Sequence, residues 1–328
     1  MKIFVALANP KAQLDFAGYL VTFCQLAQND QWGKHQLADS PEAADCILFI
    51  DAHVSLSVDY YRIIDNHPLT KRFPEKVMVY DEYDRPPSYG RGLYVSIPRF
   101  LLDNYRHAVV CYWSNGFDSH PLDRAVGPRA EYCFFAGAVS YNPTRARIVK
   151  QLTGSVVYVK DTSAVSPWKT GAHAPAPEAL HKSRLEYSEM MTKHQYCIAP
   201  LGKGTSSIRM FEAFAHGTVP IVMANEYVAP QVQSWNECVV ALDQRRPLDI
   251  VALQMQLQHE FASRQNLALQ IHDRCFALNS RWNFFGDQLE RVLNSDPVWR
   301  TRSKSDELRT KLYWIQHRLM KRIESRFV

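Results

Sequence analysis

The sequence predicts an α/β protein built from two domains in tandem, each organised around a parallel sheet. Three observations support this prediction. The chain has 328 residues, which is long for one ordinary domain and suits two of roughly 130–180 residues. Short apolar segments alternate along the chain with segments of helical periodicity. The apolar segments lack a polar face, as expected of strands that helices cover on both sides.

Each predicted domain begins with an apolar strand and continues through helices and further strands. The first domain is assigned to residues 1–125 and the second to residues 126–299, with a Gly-, Pro-, Asp- and Arg-rich linker at residues 115–130. Ligands of such sheets bind at the carboxyl ends of strands, so we expect a site there or in the cleft between the domains. The predicted strands are residues 2–7, 46–51, 77–80, 108–113, 132–136, 155–159, 195–199, 219–223 and 238–242. The predicted helices are residues 13–27, 143–152, 183–193, 208–216 and 247–263.

The composition predicts a cytoplasmic protein with ordinary cores. The seven cysteines are odd in number and include no C-x-x-C pair, which favours buried free thiols over a disulfide framework or a zinc site. The opening residues imitate a signal peptide, but their apolar core of about six residues is shorter than the roughly 7–15 that such a peptide needs. No apolar run reaches the ~18–20 residues of a membrane span.

Residues 300–328 form a third, basic segment. They contain nine Lys/Arg and three Asp/Glu, whereas the net charge of the whole chain is +5. The basicity therefore belongs to this segment, and no nucleic-acid partner is expected. The segment predicts an amphipathic helix that either docks on the body or lies on an anionic partner, such as the inner face of a membrane. Its apolar stripe is Leu308, Leu312, Ile315, Leu319 and Ile323.

The most informative part of the sequence is a strand–loop–helix–strand pattern at residues 197–222. A buried strand is followed by a loop with two glycines and three hydroxyl residues, and then by a helix that ends at Gly217. Glycines let backbone N–H groups approach an anion, and a helix N-terminus adds donors and partial positive charge. The pattern predicts a phosphate site at Gly202, Gly204, Ser206 and Ser207.

Charged side chains complete this predicted site. Lys203 and Arg209 flank the loop, and an arginine is suited to bidentate contact with a diphosphate. Glu212 lies three residues after Arg209 on the same helical face, where it can accept hydrogen bonds from ribose hydroxyls. The competing interpretation is an ordinary helical ion pair between Arg209 and Glu212. The loop is neither a Walker A motif nor a dinucleotide fingerprint, because Lys203 stands between the glycines and Ser207 replaces a third glycine.

At these residues the sequence resembles the exostosin-type glycosyltransferase domain. The family usually has Pro-Arg-Gly where this chain has Pro200, Leu201 and Gly202, and Lys203 can take the place of the missing arginine. Weaker similarity covers residues 134–138 with Arg145, and residues 94–99. The motif series consists of Tyr187, Met191, residues 196–200, Gly202, Gly204, Ser207, Arg209, Glu212, Ala213, Gly217, residues 220–222 and Trp235.

The resemblance implies a fold and an activity. It implies two Rossmann-like domains facing a cleft in the GT-B arrangement. The basic C-terminal helix predicted from charge and periodicity follows them. The resemblance also implies transfer, with inversion, from a UDP- or GDP-sugar to a saccharide or glycolipid acceptor in polysaccharide biosynthesis, with Arg145 and Arg209 stabilising the leaving group. The sequence has no Asp-x-Asp pair, so we expect neither a metal nor another cofactor, since basic side chains and a helix dipole can neutralise the diphosphate.

An inverting transferase needs a base that deprotonates the acceptor hydroxyl, and the first domain offers two places for it. Asp51 and His53 follow one predicted strand, and Asp81 and Asp84 follow another. In both places the alternative interpretation is a loop acid or a helix cap. Two other functions also stay open: a non-catalytic module of the same fold, favoured by the altered motif at Leu201, and an unrelated α/β protein that binds small anions.

Overall fold

The computed structural model describes residues 1–9, 17–52, 60–84, 90–113, 124, 126–139, 142–152, 157–164, 175–296, 298–299 and 304–324. Within these residues the chain forms two parallel sheets, with helices between most of the successive strands. The predicted α/β fold class is therefore confirmed. Most of the predicted linker, namely residues 115–123 and 125, lies outside the described residues.

The first sheet has six parallel strands in the order β2-β1-β3-β4-β5-β6. Two of them, β2 and β5, were not predicted. The strands are β1 (Lys2–Ala6), β2 (Gln36–Leu37), β3 (Cys46–Phe49), β4 (Val77–Asp81), β5 (Gly92–Tyr94) and β6 (His107–Val109). The helices of this part are α1 (Ala17–Gln28), α2 (Tyr60–Asn66) and α3 (Pro68–Arg72).

The second sheet has five parallel strands in the order β11-β10-β9-β7-β8. The predicted helix at residues 247–263 is two helices, α8 and α9. The strands are β7 (Glu131–Gly137), β8 (Tyr158–Asp161), β9 (His194–Pro200), β10 (Val219–Met223) and β11 (Val240–Ala241). The helices are α4 (Pro143–Leu152), α5 (Pro177–Lys193), α6 (Ile208–His216), α7 (Trp235–Cys238), α8 (Ile250–Leu257) and α9 (Phe261–Ile271).

Both sheets have the same winding. Counted from the start of each domain, the strand order runs 2-1-3-4-5 in both, and the first sheet adds a sixth strand. In this order the direction of winding reverses between the first and third strands, and ligands bind in the crevice at that switch point. The switch points are β1/β3 in the first sheet and β7/β9 in the second.

Helix α10 (Arg281–Ser295) returns the chain to the first sheet. The Trp282 indole donates to the His35 carbonyl at 2.9 Å, and Phe285 stacks on Phe23 with ring centroids 6.3 Å apart. A π-helical turn at His272–Phe276 leads from α9 into this crossing. Residues 281–295, which the sequence placed in the second domain, thus pack on the first.

Helix α11 (Lys304–Glu324) docks on the first domain through aromatic side chains. Tyr313 is buried and stacks on Phe100 at 6.0 Å, and the Arg309 guanidinium lies over the same ring. The apolar stripe faces away, since Leu308, Leu312, Ile315 and Leu319 are each about half exposed, between 49% and 58%. In the described part of the chain, no helix is both long and apolar enough to cross a membrane.

Candidate nucleotide-sugar site

The N-terminus of α6 lies at the switch point of the second sheet. Strand β9 ends at Pro200 and the loop to α6 begins there, while β7 ends at the neighbouring Gly137. Ser207 caps α6 in an extended conformation, and Gly217 ends it with φ +67°, which an L-residue adopts only at a cost. The predicted helix 208–216 and its two boundaries are confirmed.

Arg145 projects from α4 onto the carboxyl ends of the two central strands. Its guanidinium donates to the carbonyl of Leu201 at 2.9 Å and to that of Ala138 at 3.1 Å. The side chain is buried. Burial and, to a lesser extent, the nearby positive charge of Arg209 lower the pKa of Arg145 to about 9. A buried cation held by neutral carbonyls gains stability when an anion binds beside it.

Arg209 supplies the second positive charge. It donates to the Ala136 carbonyl and to the Ser207 hydroxyl, and its guanidinium lies 5.7 Å from the Phe135 ring centroid. A Cβ atom on Gly137 would lie only 1.9 Å from Nη2 of Arg209, so this glycine makes room for the guanidinium. Among the described residues, no carboxylate lies within salt-bridge distance of Arg145 or Arg209.

The loop between β9 and α6, residues 201–207, has two parts that make different contacts. The amide N–H groups of Thr205 and Ser206 donate to the Ser96 hydroxyl at 2.9 and 3.2 Å, so they are already used in a contact with the first domain. A Cβ atom on Gly204 would lie 2.1 Å from that hydroxyl oxygen, so a residue with a side chain would clash at this position. Because Ser96 follows β5 and Thr205 follows β9, this contact brings the carboxyl ends of the two sheets together.

The other part of the loop faces the arginines. The carbonyl of Gly202 accepts from the Asn142 amide at 2.8 Å, and a Cβ atom on Gly202 would lie 3.3 Å from Nη2 of Arg145. Within the described ranges, no hydrogen bond engages the amide N–H groups of Ser207, Ile208 or Arg209. These amides are the donors that the helix N-terminus offers to an anion. Lys203 is exposed at the rim.

Glu212 and Arg209 do not form the helical ion pair of the competing interpretation. Glu212 is largely buried and accepts a hydrogen bond from the Tyr187 hydroxyl at 2.8 Å. One turn later, His216 donates through Nδ1 to the Glu212 carbonyl and accepts from the Ser188 hydroxyl at 3.1 Å. Burial lowers the pKa of His216 to about 4, so this histidine is neutral near pH 7. Its role is to join α6 to α5.

The predicted base residues lie in different environments. Asp51 is fully buried at the switch point of the first sheet, where it accepts from the amides of Ala8 and Asn9 at 3.0 and 2.8 Å and from the Tyr60 hydroxyl. Asp81 is also buried. It accepts from the Tyr61 hydroxyl and the Tyr83 amide, both at 2.8 Å, and burial raises its pKa to about 6.

The remaining two candidates differ. Asp84 lies against the donor loop, because its backbone would contact a Cβ atom on Gly204, and its negative charge raises the pKa of Arg145 against the effect of burial. The structure thus brings Asp84 to the predicted phosphate site. His53 lies outside the described residues.

Glu82 is a further carboxylate at the carboxyl end of β4, and the sequence did not single it out. Its side chain lies on the opposite side of the strand from that of Asp81. Glu82 accepts from the Tyr80 hydroxyl at 2.9 Å and from the Trp113 indole N–H at 3.2 Å, and it is partly exposed. The pKa of Glu82 is raised to about 7, and burial is the largest cause of this shift. Successive side chains of a strand point to opposite faces of the sheet, so Glu82 and Asp81 lie on different faces. This alternation is the feature of the sequence that could have distinguished Glu82 from Asp81.

A possible metal-ligand group lies elsewhere. Among the described residues, His35, Asp287 and Glu290 converge closely enough to hold an ion. The Lys34 ammonium already pairs with the two carboxylates at 2.6 and 3.3 Å, so positive charge is present there. This group lies at the amino end of β2, whereas the arginines lie at carboxyl ends of strands.

Fold and site together define a class of protein. Two Rossmann-like domains meet at the carboxyl ends of their sheets, and one of them presents a helix N-terminus with two arginines. This is the GT-B arrangement of glycosyltransferases.

Comparison with known proteins agrees with this class. The family model described as the exostosin GT47 domain matches residues 102–257. An exostosin-1 homolog of Caenorhabditis elegans is 30% identical over 74 residues, which are 22% of this chain and 19% of that protein. A probable glycosyltransferase of Arabidopsis thaliana is 32% identical over 78 residues, 23% of this chain and 17% of the relative. Part of this chain is therefore similar to the exostosin-type glycosyltransferases, and the aligned segments cover less than a fifth of these relatives' length.

Solved structures were also compared. A crystal structure of an α1,3-fucosyltransferase aligns with a TM-score of 0.36 and 12% identity, covering 90% of both chains. A second, with GDP-fucose, aligns with a TM-score of 0.30 and 11% identity, covering 95% of this chain and 89% of the other. The fold assignment therefore rests on the two sheets themselves.

Proposed function

We propose that this protein is an inverting, metal-independent glycosyltransferase that uses a UDP- or GDP-sugar as donor and a saccharide or glycolipid as acceptor. One observation carries the proposal most directly. Two guanidinium groups, Arg145 and Arg209, converge at a helix N-terminus where no carboxylate pairs with them among the described residues. Such a site is electrostatically incomplete until an anion binds, and a diphosphate matches its two positive charges.

Each side chain has a place in the proposed reaction. The amides of Ser207, Ile208 and Arg209 hold phosphate oxygens, and the two arginines stabilise the negative charge that grows on the leaving nucleoside diphosphate. Glu212, held by Tyr187, accepts hydrogen bonds from the ribose hydroxyls. Gly202 allows the phosphates to approach the loop, and Lys203 closes the rim. In this proposal the arginines replace a metal ion and no other cofactor takes part.

Calorimetric titration with UDP and GDP, each with and without EDTA, tests the donor site. We expect one nucleotide to bind equally well in both conditions. Arg209→Met is expected to weaken that binding about 10- to 150-fold, because a charge-assisted hydrogen bond contributes about 1.5–3 kcal/mol. Arg246→Met is the matched control, since this arginine is exposed on the surface. Binding that EDTA abolishes, or that survives Arg209→Met unchanged, contradicts the proposal.

A non-catalytic module is the second candidate, and Leu201 favours it. This buried leucine stands where the family usually has an arginine, so one positive charge of the family motif is missing. Incubation with UDP- and GDP-sugars separates the two functions. A transferase releases nucleotide in the presence of acceptor saccharides, whereas a binding module holds the donor intact.

We further propose that the protein is cytoplasmic and that α11 contacts the inner face of a membrane. The exposed stripe of this helix lies in a segment with nine Lys/Arg, which is the combination that binds anionic lipid surfaces. Sedimentation with anionic and with neutral vesicles tests this. The double variant Leu312→Ser, Leu319→Ser is expected to lose binding to anionic vesicles, whereas Val251→Ser, at an exposed apolar position on α8, keeps it. Equal binding to both vesicle types argues against the contact.

A further inference from the structure

The carboxyl end of β4 holds three acids, and their surroundings separate them. Asp81 is buried in the protein and accepts hydrogen bonds from two donors, the Tyr61 hydroxyl and the Tyr83 amide. Asp84 lies beside the positive charge of Arg145. Glu82 is partly exposed, and its carboxylate accepts hydrogen bonds from two neutral donors, the Tyr80 hydroxyl and the Trp113 indole N–H.

A small network fixes the Glu82 carboxylate. The Tyr80 hydroxyl donates to Oε2 and accepts from the Trp113 amide at 2.8 Å, while the Trp113 indole N–H donates to Oε1. The carbonyl of Trp113 in turn accepts from the buried guanidinium of Arg281. Both oxygens are therefore oriented by neighbours whose own polar groups are satisfied, as a preorganised catalytic group requires.

The same network lies beside the donor helix. Tyr112, the neighbour of Trp113, packs edge-on against Phe211 of α6 with ring centroids 6.0 Å apart. The charges of Asp84 and Glu82 add to burial in raising the pKa of Tyr112, so both acids lie near this ring. Phe211 is two residues after Arg209 in the chain. Glu82 therefore lies near Tyr112, the first-domain residue whose ring contacts the first turn of α6.

We propose that Glu82 is the general base of the transfer, an inference that rests on the proposed function. The Glu82 carboxylate takes the proton of the acceptor hydroxyl as its oxygen forms a bond to the anomeric carbon. The bond from that carbon to the phosphate oxygen breaks, and the electron pair leaves with the nucleoside diphosphate. Glu82 then releases its proton to water, and the sugar has inverted configuration. This assigns the base to Glu82 in place of the predicted Asp51, His53, Asp81 and Asp84.

The electrostatics of Glu82 suit this role. Burial raises its pKa to about 7, and the hydrogen bonds from Tyr80 and Trp113 act in the opposite direction. A base with a pKa near the working pH combines a useful deprotonated fraction with a strong tendency to take a proton. The titratable and charged groups around it are Tyr19 of α1, Tyr80 and Asp81 of β4, Asp84, Tyr112, and Arg281 through the Trp113 carbonyl.

Glu82→Gln tests the proposal, because it keeps the size of the side chain and removes its basicity. The probe is release of UDP or GDP from UDP-glucose, UDP-galactose, UDP-glucuronate and GDP-fucose, first in water alone and then with molar azide. Azide is an anionic nucleophile and needs no base. We expect nucleotide release in water to fall about 10²- to 10⁴-fold in the variant, while release with azide stays within about threefold of wild type. Glu75→Gln, an exposed glutamate of the same domain, is the matched control.

Further measurements make each outcome decisive. Thermal melting and calorimetric nucleotide titration are expected to be unchanged in Glu82→Gln, and the wild-type rate in water is expected to rise with pH through about 7 and then level off, a dependence that the variant lacks. Full activity of Glu82→Gln in water, or an equal loss with azide, overturns the assignment while leaving the donor site intact. A wild-type protein that binds neither nucleotide, or that releases none, overturns the proposed function and this inference together.

Discussion

Gly137 controls the position of Arg209, so Gly137→Ala should disable the donor site without unfolding the protein. The new Cβ atom would lie 1.9 Å from Nη2 and 2.5 Å from Cζ of Arg209, far inside van der Waals contact. Because the obstructed atoms are the far end of a flexible side chain, the guanidinium moves aside and the backbone stays in place. The φ of Gly137 is not in the left-handed region, so alanine can adopt it.

The expected loss follows from the contacts that Arg209 makes. Displacement of the guanidinium removes a charge-assisted hydrogen bond to the diphosphate, which contributes about 1.5–3 kcal/mol and corresponds to about a 10- to 150-fold higher Kd. Arg209 also leaves the Ala136 carbonyl, an exchange between protein and water that costs only about 0.5–1.5 kcal/mol of stability.

Calorimetric titration with UDP and GDP, together with urea denaturation, measures both effects. Gly18→Ala is the matched control, because no atom lies within 4 Å of its added Cβ atom and the residue is in helix α1. This control should keep its nucleotide affinity and gain about 0.5–1 kcal/mol of stability. An unchanged affinity of Gly137→Ala in a folded protein would refute the assignment of Arg209 to the diphosphate.

Three further predictions concern residues that hold the site's framework. Asp51→Ala should lower the free energy of unfolding by about 3 kcal/mol or more in urea denaturation, because two buried donors and one partly buried donor lose their acceptor, and a loss below about 1 kcal/mol contradicts this role. Gly217→Ala should cost about 1–2 kcal/mol in the same assay, since φ is +67° and the new Cβ would lie 3.2 Å from Leu269; an unchanged midpoint argues against strain there. Burial lowers the pKa of His216 to about 4, below that of the unfolded state, so the unfolded chain binds more protons and stability falls as the pH drops from about 6.5 to 4. At about 1.4 kcal/mol per pH unit this loss is about 3 kcal/mol, and His216→Gln should flatten the measured slope.

Local signals in the sequence were sufficient for the elements that form the donor site. Helix α6 and strand β10 have the predicted bounds, because an apolar strand and a terminating glycine each act within a few residues; Ser207 has the extended conformation of an N-cap residue without a side-chain capping hydrogen bond. The sequence also predicted the parallel α/β architecture and the relation to exostosin-type glycosyltransferases. The positions of Arg145, Arg209 and Glu212 as site residues remain predictions, as does the metal independence.

The use of each polar group in the loop was decided by the tertiary structure. Gly204 and Ser206 look like part of a phosphate cradle in the sequence, but the Ser206 amide donates to Ser96 and Gly204 packs against Asp84. Ser96 is more than a hundred residues away in the chain. A local sequence pattern predicts that a turn leaves a backbone amide without an acceptor inside its own segment. Which acceptor that amide then binds depends on the residues that pack against it in the folded protein.

The same distinction, between what the sequence predicts and what tertiary contacts decide, applies to the two domains as a whole. The sequence by itself predicted most of the strands and the bounds of α6, because these depend on periodicity and on neighbours in the chain. The tertiary structure decided that α10 packs on the first domain, that Asp51 and Asp81 are buried, and that Glu82 accepts hydrogen bonds from Tyr80 and Trp113. Burial and hydrogen-bond partners set the pKa of a carboxyl group, and both depend on contacts between residues distant in the chain.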